Sequence, residues 1–303
     1  MYKRQHQVFD RRLHRLRRDR SAASLRQVAP ILEEAADRLL DRLDDFTLRF
    51  DHALDLGGRG VVAPRLRARG IGQVVSMDLS AALARQAGSL PVAGDEEWLP
   101  FAEGSFDLVV ASLSLHWVND LPGALVQIRR ALRPDGLFLA SVPALGTLQN
   151  LREALAAEEE ALRGGVSPRV SPFPEVSDGA ALLQRAGFAL PVADAETLRL
   201  AYRSPLALLR DLRAAGETSA VLARDPRPVP RALFPAALAR LAGEAPGDEP
   251  VPVTLRLLTL TGWAPAPSQQ QPARPGSATV RLAEALGTEE RGLGEATPGT
   301  PKR

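Results

Sequence analysis

The chain has 303 residues, a net charge of +2 and 45% apolar residues. This length allows one large domain with extensions, and the apolar content suffices for a substantial core. A charge so near zero indicates no polyanionic partner for the whole chain, so nucleic acid is not expected. The absence of cysteine excludes disulfides, thiolate catalysis and cysteine metal sites.

The histidines and the hydropathy pattern indicate neither a metal site nor a membrane span. His6, His14, His52 and His116 are scattered without the spacing of metal ligands. No run approaches the roughly 18 apolar residues of a membrane helix, and no apolar stretch typical of a signal peptide begins the chain. We therefore expect no metal, no transmembrane segment and a cytoplasmic location, with peripheral contact to the inner membrane left open.

Residues 1–45 are expected to form a basic helical extension. Arginine and lysine far outnumber acidic residues over 1–20, and apolar residues between Val8 and Leu16 recur at helical spacing. Such a helix is typical of a solvated basic surface or of a lid over an anionic substrate or cofactor. An amphipathic helix is predicted to follow over 30–45.

From residue 46 onward, short apolar strands alternate with helical segments. Strands are predicted at 52–56, 73–77, 90–93, 106–113 and 137–142, and helices at 61–69, 81–87 and 121–132. This alternation predicts an α/β fold of the Rossmann type, with a mostly parallel sheet and helices on both faces. Pro134-Asp135-Gly136 is predicted to turn the chain into the fifth strand.

After residue 143 the pattern changes, which indicates insertions that cover the sheet. Helices are predicted at 148–163, 178–186, 205–215 and 231–241, a strand ending near Tyr202, a last strand at 251–263 and a loop at 167–174. Polar and apolar residues alternate along the last strand, so we expect it to be antiparallel.

These elements divide the chain into three parts. We expect the extension over 1–45, a domain over 46–263, and a mostly disordered tail over 264–303 with one short helical segment at 280–286. Within the domain, insertions at about 144–176 and 204–245 are expected to cap the substrate side.

Glycines and acids at the ends of successive predicted strands indicate a cofactor pocket. In an open parallel sheet, ligands bind beyond the carboxyl ends of the strands. Glycines there let the backbone approach a ligand, and the next helix start offers N–H groups to an anion. The expected cofactor residues are Asp55, Gly57, Gly58, Gly60, Asp78, Asp95, Glu96 and Ser112.

The arrangement favours S-adenosyl-L-methionine (S-adenosylmethionine) as the cofactor. The glycine turn would bind the methionine carboxylate, and Asp55 would accept from the ammonium or orient the turn. Asp78 follows Asp55 at close to the interval of about 20 residues at which an acid binds ribose. Asp95, beside Glu96, would accept from the adenine amine, and Ser112 would line the floor. A nicotinamide dinucleotide fits less well, because no second mononucleotide half follows.

Several motifs carry a resemblance to a known family. They are Phe9-Asp10-Arg11, Ala53-Leu54-Asp55-Leu56-Gly57, Asp95-Glu96-Glu97, Leu99-Pro100-Phe101, residues 106–122, Arg133-Pro134-Asp135-Gly136, residues 167–173 and Thr261-Gly262-Trp263. On these residues the chain resembles the class I methyltransferases that include the malonyl-carrier-protein methyltransferases of biotin synthesis. It is still more similar to the mitochondrial complex I assembly-factor branch of that fold.

The resemblance spans roughly residues 8–263. It implies a seven-stranded sheet whose last strand is antiparallel, and binding of S-adenosylmethionine. For the assembly-factor branch it implies hydroxylation of an arginine on a complex I subunit instead of methyl transfer.

The chain departs from the family pattern in two places. The family loop usually reads Asp-Leu-Gly-Cys-Gly-x-Gly, whereas residues 55–60 are one residue shorter and contain Arg59. Arg59 would crowd the methionine tail or pair with its carboxylate, and Pro64 predicts a late start for the following helix. The second departure is the segment 143–152, which lacks the acid that the family tends to have there.

His116, just past the fourth predicted strand, is the candidate catalytic residue. It would accept a proton or position the acceptor, and the alternative is a hydrogen-bonded histidine in the pocket wall. Methyl transfer depends largely on positioning and needs no strong base. The candidate substrate contacts are Trp117, Arg152, Arg169 and Ser171. Each has a structural alternative. Trp117 would pack in the core, Arg152 would pair with a glutamate of its own helix, and Arg169 and Ser171 would only shape their loop.

Three functions remain open at this point. The first is an S-adenosylmethionine-dependent methyltransferase acting on a small acid or a protein side chain, with acyl carrier protein as one partner. The second is a cofactor-binding arginine hydroxylase and assembly factor, with a complex I subunit as its partner. The third is a non-catalytic module whose pocket has decayed at Arg59 and Asn150. The sequence favours the first.

Overall fold

The structure is a computed structural model that describes residues 7–88, 90–243, 249–269, 277 and 280–289. The chain divides into two compact units, Met1–Ala266 and Pro267–Arg303. The predicted disordered tail lies largely outside the described residues. Of its described part, residues 282–286 form a short helix, within the predicted helical segment.

Seven strands form one mixed sheet. They are β1 His52–Leu56, β2 Gln73–Asp78, β3 Leu90–Ala93, β4 Phe106–Ser112, β5 Leu132–Pro143, β6 Ala189–Tyr202 and β7 Val251–Trp263. The order is β3-β2-β1-β4-β5-β7-β6. Neighbours pair in parallel except β7, which runs antiparallel to both β5 and β6. This arrangement confirms the predicted Rossmann-like sheet with its antiparallel last strand.

Helices cover both faces of the sheet. The helices of the unit Met1–Ala266 are α1 Arg11–Ser21, α2 Ala29–Asp41, α3 Val62–Ala68, α4 Ala81–Gln86, α5 Leu121–Ala131, α6 Gln149–Arg163, α7 Val176–Arg185, α8 Pro205–Ala214 and α9 Leu233–Gly243. The second unit contains α10 Leu282–Leu286. The apolar stripe of α2 packs with α3 against β4 and β5, while α5 and α7 pack on the opposite face. The layers bury the strand centres, so polar groups that bind ligands are confined to the strand ends.

Local signals in the sequence account for most helix ends. The Asp120 side chain accepts from the Gly123 N–H at 2.9 Å and caps α5. Pro64 lies in the first turn of α3, which begins late as predicted. Gly164 ends α6 in the left-handed conformation. The predicted turn at 134–136 lies inside β5 as an irregularity: Leu132 pairs with Phe106 and Leu137 with Leu108, and Asp135 between them has φ +62°.

The cap is built from α6, α8 and α9 over the neighbouring ends of β6 and β7. Leu151, Leu155, Leu208 and Leu233 form its buried cluster together with Val253. The 167–174 segment contains no helix or strand, as predicted, and packs against the same cluster. Among the described residues, no helix combines the length and apolarity that a bilayer crossing needs.

Candidate cofactor and substrate site

The loop after β1 is tight and depends on glycine. Gly57 has φ +73°, and a Cβ there would lie 2.5 Å from the Ser114 Cβ. The Ser114 hydroxyl donates to the Leu56 carbonyl at 2.8 Å, which holds the two segments together. Gly60 also has positive φ, as does Arg59 at +54°. The shortened loop therefore places a large side chain in a backbone conformation that usually needs glycine.

Asp55 holds this loop in place. Its Oδ2 accepts from the Ala63 N–H at 3.1 Å, and a Cβ on Gly58 would collide with its carboxyl group. Burial, reinforced by the charge of Asp78, raises the pKa of Asp55 to about 7. Of the two roles expected for Asp55, orienting the turn matches these contacts.

Asp78, the expected ribose acid at the end of β2, is paired with an arginine of α1. Arg18 Nε donates to Asp78 Oδ1 at 3.1 Å, and Arg18 Nη2 donates to Asp78 Oδ2 and to the Gly57 carbonyl. Both side chains are buried, at 1% and 3% exposure. Burial opposes the charge on Arg18, but Asp78 more than offsets this and raises the pKa of Arg18.

The expected adenine acids are paired with a second arginine of the same helix. Arg11 Nη2 donates to Asp95 Oδ1 at 2.6 Å and to Glu96, and Arg11 Nη1 donates to the Trp117 carbonyl at 3.2 Å. Arg11 and Arg18 stand about two turns apart, so they share one face of α1. That face closes the cleft between the glycine loop and the acids.

The interpretation of α1 as a solvated basic helix is therefore wrong for its inner face. Arg18 and His14 are buried, whereas Arg12 and Arg15 are exposed on the outer face. The His14 ring stacks on Trp117 with centroids 4.9 Å apart. Burial, helped by the charge of Arg18, lowers the pKa of His14 well below its usual value, so this imidazole is neutral at pH 7.

Glu217, which sequence reasoning missed, joins the glycine loop to His116. Glu217 Oε2 accepts from Trp117 Nε1 at 2.7 Å and lies 2.9 Å from His116 Nε2, while Glu217 Oε1 pairs with Arg59. Burial alone would raise the pKa of Glu217, but Arg59 and His116 hold it well below its usual range. The one local signal is Gly216, which lies just past the end of α8; no motif marks the acid after it.

A cavity of about 480 Å³ lies beside this cluster. Arg59, His116, Trp117 and Glu217 form the part of its wall next to the glycine loop, and the cap supplies much of the remaining wall. The cofactor cleft is separate, because Asp78, Asp95 and Glu96 do not line this cavity. The structure thus presents a charged cleft closed by α1 and a roomier chamber under the cap.

The candidate substrate contacts divide between the chamber and the cap. Trp117, Arg169 and Ser171 line the chamber, and Arg169 Nε donates to Glu159 at 3.2 Å. Arg152 does not line it. Its guanidinium donates to the Ser171 carbonyl at 2.6 Å. Arg152 was expected to contact substrate or to pair with a glutamate of its own helix. In the structure it holds the 167–174 loop instead.

Ser112 was expected to line the floor of the cofactor pocket. It is a nearly buried residue at the end of β4, paired with Ser141 of β5 in the sheet register. Among the described residues, no group of three or more histidine, cysteine or acidic side chains is arranged to hold a metal ion.

The residues fit S-adenosylmethionine in part. Gly57 and Gly60 leave the close approach that a cofactor tail needs, and Asp55 Oδ1 and Arg18 Nη1 are buried without a hydrogen-bond partner. However, Asp78 and Glu96 are buried and paired with the arginines of α1, while Asp95 pairs with Arg11 through Oδ1 and keeps a side-chain exposure of 29%. A cofactor that binds Asp78 or Glu96 must therefore displace these arginines.

Comparison with known proteins identifies the family. Residues 54–140 match a family of methyltransferase domains. The mitochondrial arginine-hydroxylase NDUFAF5 of Homo sapiens is 38% identical over 91% of this chain and 83% of its own length. The protein of the same name from Danio rerio is 36% identical over 91% of this chain and 89% of its own.

More distant relatives are methyltransferases. The malonyl-[acyl-carrier protein] O-methyltransferase of Halorhodospira halophila is 34% identical over 85% of this chain and 89% of its own length. The crystal structure of a putative methyltransferase from Bacillus halodurans superimposes with a TM-score of 0.53 over 75% of this chain and 99% of that one. Its identity is 15%, so it supports the fold alone.

The relatives also correct one expectation. The NDUFAF5 proteins of fish, mouse and human are named as mitochondrial, which contradicts the expected cytoplasmic location. The resemblance seen in the sequence motifs is confirmed at both levels. The chain belongs to the methyltransferase-fold family that contains arginine-hydroxylase NDUFAF5 and malonyl-[acyl-carrier protein] O-methyltransferase.

Proposed function

We propose that this protein binds S-adenosylmethionine and hydroxylates an arginine side chain on a protein partner, a subunit of respiratory complex I. One oxygen atom of dioxygen would enter the side chain, and an external two-electron donor would reduce the other to water. One observation carries the proposal. Identity to the arginine-hydroxylases extends over 91% of the chain and so reaches far beyond the matched methyltransferase domain. The relatives named for methyl transfer share less identity over a similar length.

The chemistry of the chamber supports a guanidinium as the acceptor. Glu217 is ionised and already binds the guanidinium of Arg59. A carboxylate held by fixed donors is a suitable partner for arginine, because the two groups form strong, geometrically specific pairs. In this proposal Glu217 receives the substrate arginine when Arg59 turns away, and His116 and Trp117 keep the carboxylate in place.

The cofactor would lie in the cleft that α1 closes. Gly57 and Gly60 would approach the methionine tail, Asp78 would bind the ribose, and Asp95 with Glu96 would bind the adenine. Because Arg11 and Arg18 occupy these acids, binding requires α1 to release them. The apparent affinity is then reduced by the fraction of molecules in which α1 is released.

Mass analysis of the partner tests the proposed reaction. The protein is co-expressed with candidate complex I subunits, and their arginine-containing peptides are measured by tandem mass spectrometry. A gain of one oxygen atom on an arginine, lost in the Glu217→Gln variant, supports hydroxylation. Unmodified arginine in every candidate subunit, with cofactor bound, would overturn it.

Methyl transfer is the second candidate function. It is favoured by the match of residues 54–140 to methyltransferase domains and by the 34% identity to a carrier-protein methyltransferase. Its acceptor would be a small acid, a protein side chain or an acyl carrier protein. Transfer of label from methyl-labelled S-adenosylmethionine to such an acceptor would support this function over hydroxylation.

A further inference from the structure

The cap chamber, the 480 Å³ cavity described above, is much larger and more apolar than a guanidinium site requires. Its volume falls in the range of about 300–1,000 Å³ typical of small-molecule sites. Away from Glu217 its walls are mainly aliphatic side chains from α2, α6, α8 and β7. These side chains include Ile31, Leu151, Leu155, Leu209, Leu212 and Leu255. Such walls favour a hydrocarbon chain, because binding removes the apolar surfaces of both the chain and the walls from water.

Three arginines on the chamber wall have no carboxylate partner within salt-bridge distance among the described residues. They are Arg17, Arg213 and Arg224. Arg17 Nη1 donates to the Thr218 carbonyl at 2.6 Å, and Arg224 Nη1 donates to the Val221 carbonyl at 3.0 Å. Burial, together with the neighbouring charge of Arg224, lowers the pKa of Arg17.

The acids that also line the chamber are engaged elsewhere. Asp225 pairs with Arg163 at 2.8 Å and with Arg227, and Asp211 accepts from the Tyr202 hydroxyl at 3.0 Å. The Ser219 hydroxyl, by contrast, is buried on the same wall without a hydrogen-bond partner. The wall near Arg17 and Arg224 is therefore rich in donors and short of acceptors.

We infer that the cap chamber binds an anionic single-chain amphiphile, a long-chain carboxylate, with its chain against the leucine-rich walls and its head group between Arg17 and Arg224. A neutral lipid would leave the two guanidinium groups uncompensated. A short polar acid would leave the apolar walls exposed to water. The long-chain carboxylate satisfies both, and the Ser219 hydroxyl supplies a further donor to its head group.

The carboxylate site shares the chamber with Glu217, which the proposed function assigns to the substrate arginine. Its own contacts are Arg17, Arg224 and the leucine-rich walls, and its ligand is detected without cofactor or protein substrate. Failure to bind a carboxylate would therefore leave arginine modification untouched, and failure of arginine modification would leave this site untouched.

Displacement of a fluorescent long-chain acid tests the inference on the full chain. cis-Parinaric acid is bound to the protein and displaced with palmitic acid or with hexadecanol, which has the same chain length and no charge. The wild type is expected to prefer the acid. Arg17→Gln/Arg224→Gln is expected to weaken the acid about tenfold, by removing two charge-assisted contacts, and to leave the alcohol unchanged.

Two further variants complete the design. Arg15→Gln/Arg20→Gln removes the same charge from the exposed side of α1 and should bind the acid like the wild type. Leu209→Trp fills the chamber and should weaken acid and alcohol alike. The inference is overturned if the wild type fails to bind parinaric acid, or if hexadecanol binds as tightly as palmitic acid and the Arg17/Arg224 variant matches its charge control.

Discussion

The cleft under α1 and the chamber under the cap lie side by side at the carboxyl ends of the strands, yet they are built in opposite ways. In the cleft, Arg11 and Arg18 are matched by acids. In the chamber, apolar side chains surround open volume, and Arg17, Arg213 and Arg224 have no carboxylate partner among the described residues. A ligand of the cleft must therefore displace existing ion pairs. A ligand of the chamber can occupy open volume and form new contacts without breaking an ion pair.

The largest expected effect is at Glu217, where the two regions meet. Glu217→Ala leaves Arg59 buried without its carboxylate, and breaking a buried ion pair in this way costs about 3–5 kcal/mol. Urea unfolding of the full chain measures the change. The control is Glu158→Ala, which breaks an exposed pair with Arg240 and should cost about 0–1 kcal/mol. Equal losses of unfolding free energy in both variants would mean that the Glu217–Arg59 ion pair is not buried.

Asp55 should give the cleft a distinctive dependence on pH. Its pKa is raised in the folded state to about 7, so the folded protein binds more protons than the unfolded chain between about pH 4 and pH 7. The contribution of Asp55 to stability is therefore present at low pH and falls as pH rises through this window, by up to about 4 kcal/mol. The Asp55→Asn substitution removes this pH-dependent contribution, because an amide does not titrate.

The comparison is made as the difference in unfolding free energy between wild type and Asp55→Asn at each pH. That difference should change between pH 4 and pH 7 and be flat above. A constant difference across the window would show that Asp55 is ionised throughout.

Two glycines with similar positive φ separate close approach from backbone strain. Gly57 has φ +73° and meets Ser114, whereas Gly164 has φ +66° with nothing within 4 Å of an added Cβ. Gly57→Ala should cost about 3 kcal/mol, from strain plus overpacking, and Gly164→Ala about 1 kcal/mol, from strain alone. Thermal unfolding of both variants measures the two losses of stability. Equal losses would show that Gly57 does not pack closely against Ser114.

The smallest effect is expected at the chamber wall. Leu209 is half-buried beside open volume, so Leu209→Ala should cost about 1 kcal/mol, against about 3 kcal/mol for Leu39→Ala in the fully packed core. Urea unfolding distinguishes the two. A loss at Leu209 as large as at Leu39 would indicate a wall that is as tightly packed as the core.

Local patterns in the sequence predicted the sheet, the glycine loop and the acids at the strand ends. Each of these depends on residues close together in the chain, such as Asp120 capping α5 or Pro64 delaying α3. Such signals can be recognised without knowing which distant segments come together.

Distant pairing could not be predicted in the same way. Arg11 lies 84 residues from Asp95, and Glu217 lies 101 residues from His116. The spacing of Arg11 and Arg18 on one face of α1 was present in the sequence, but nothing local says which acids they meet. The cap and three lining residues, Trp117, Arg169 and Ser171, were predicted, but the donor-rich wall at Arg17 and Arg224 was missed, because these arginines lie far apart in the chain.

The central claim, that α1 holds the acids proposed to bind the cofactor, is tested most directly by calorimetric titration of S-adenosylmethionine. Arg11→Ala/Arg18→Ala should bind it about tenfold more tightly than the wild type, because the acids no longer have to be released. Adding Asp78→Ala to that variant should remove the gain. Weaker binding by Arg11→Ala/Arg18→Ala than by the wild type would contradict the account, since the two arginines would then assist the cofactor instead of excluding it.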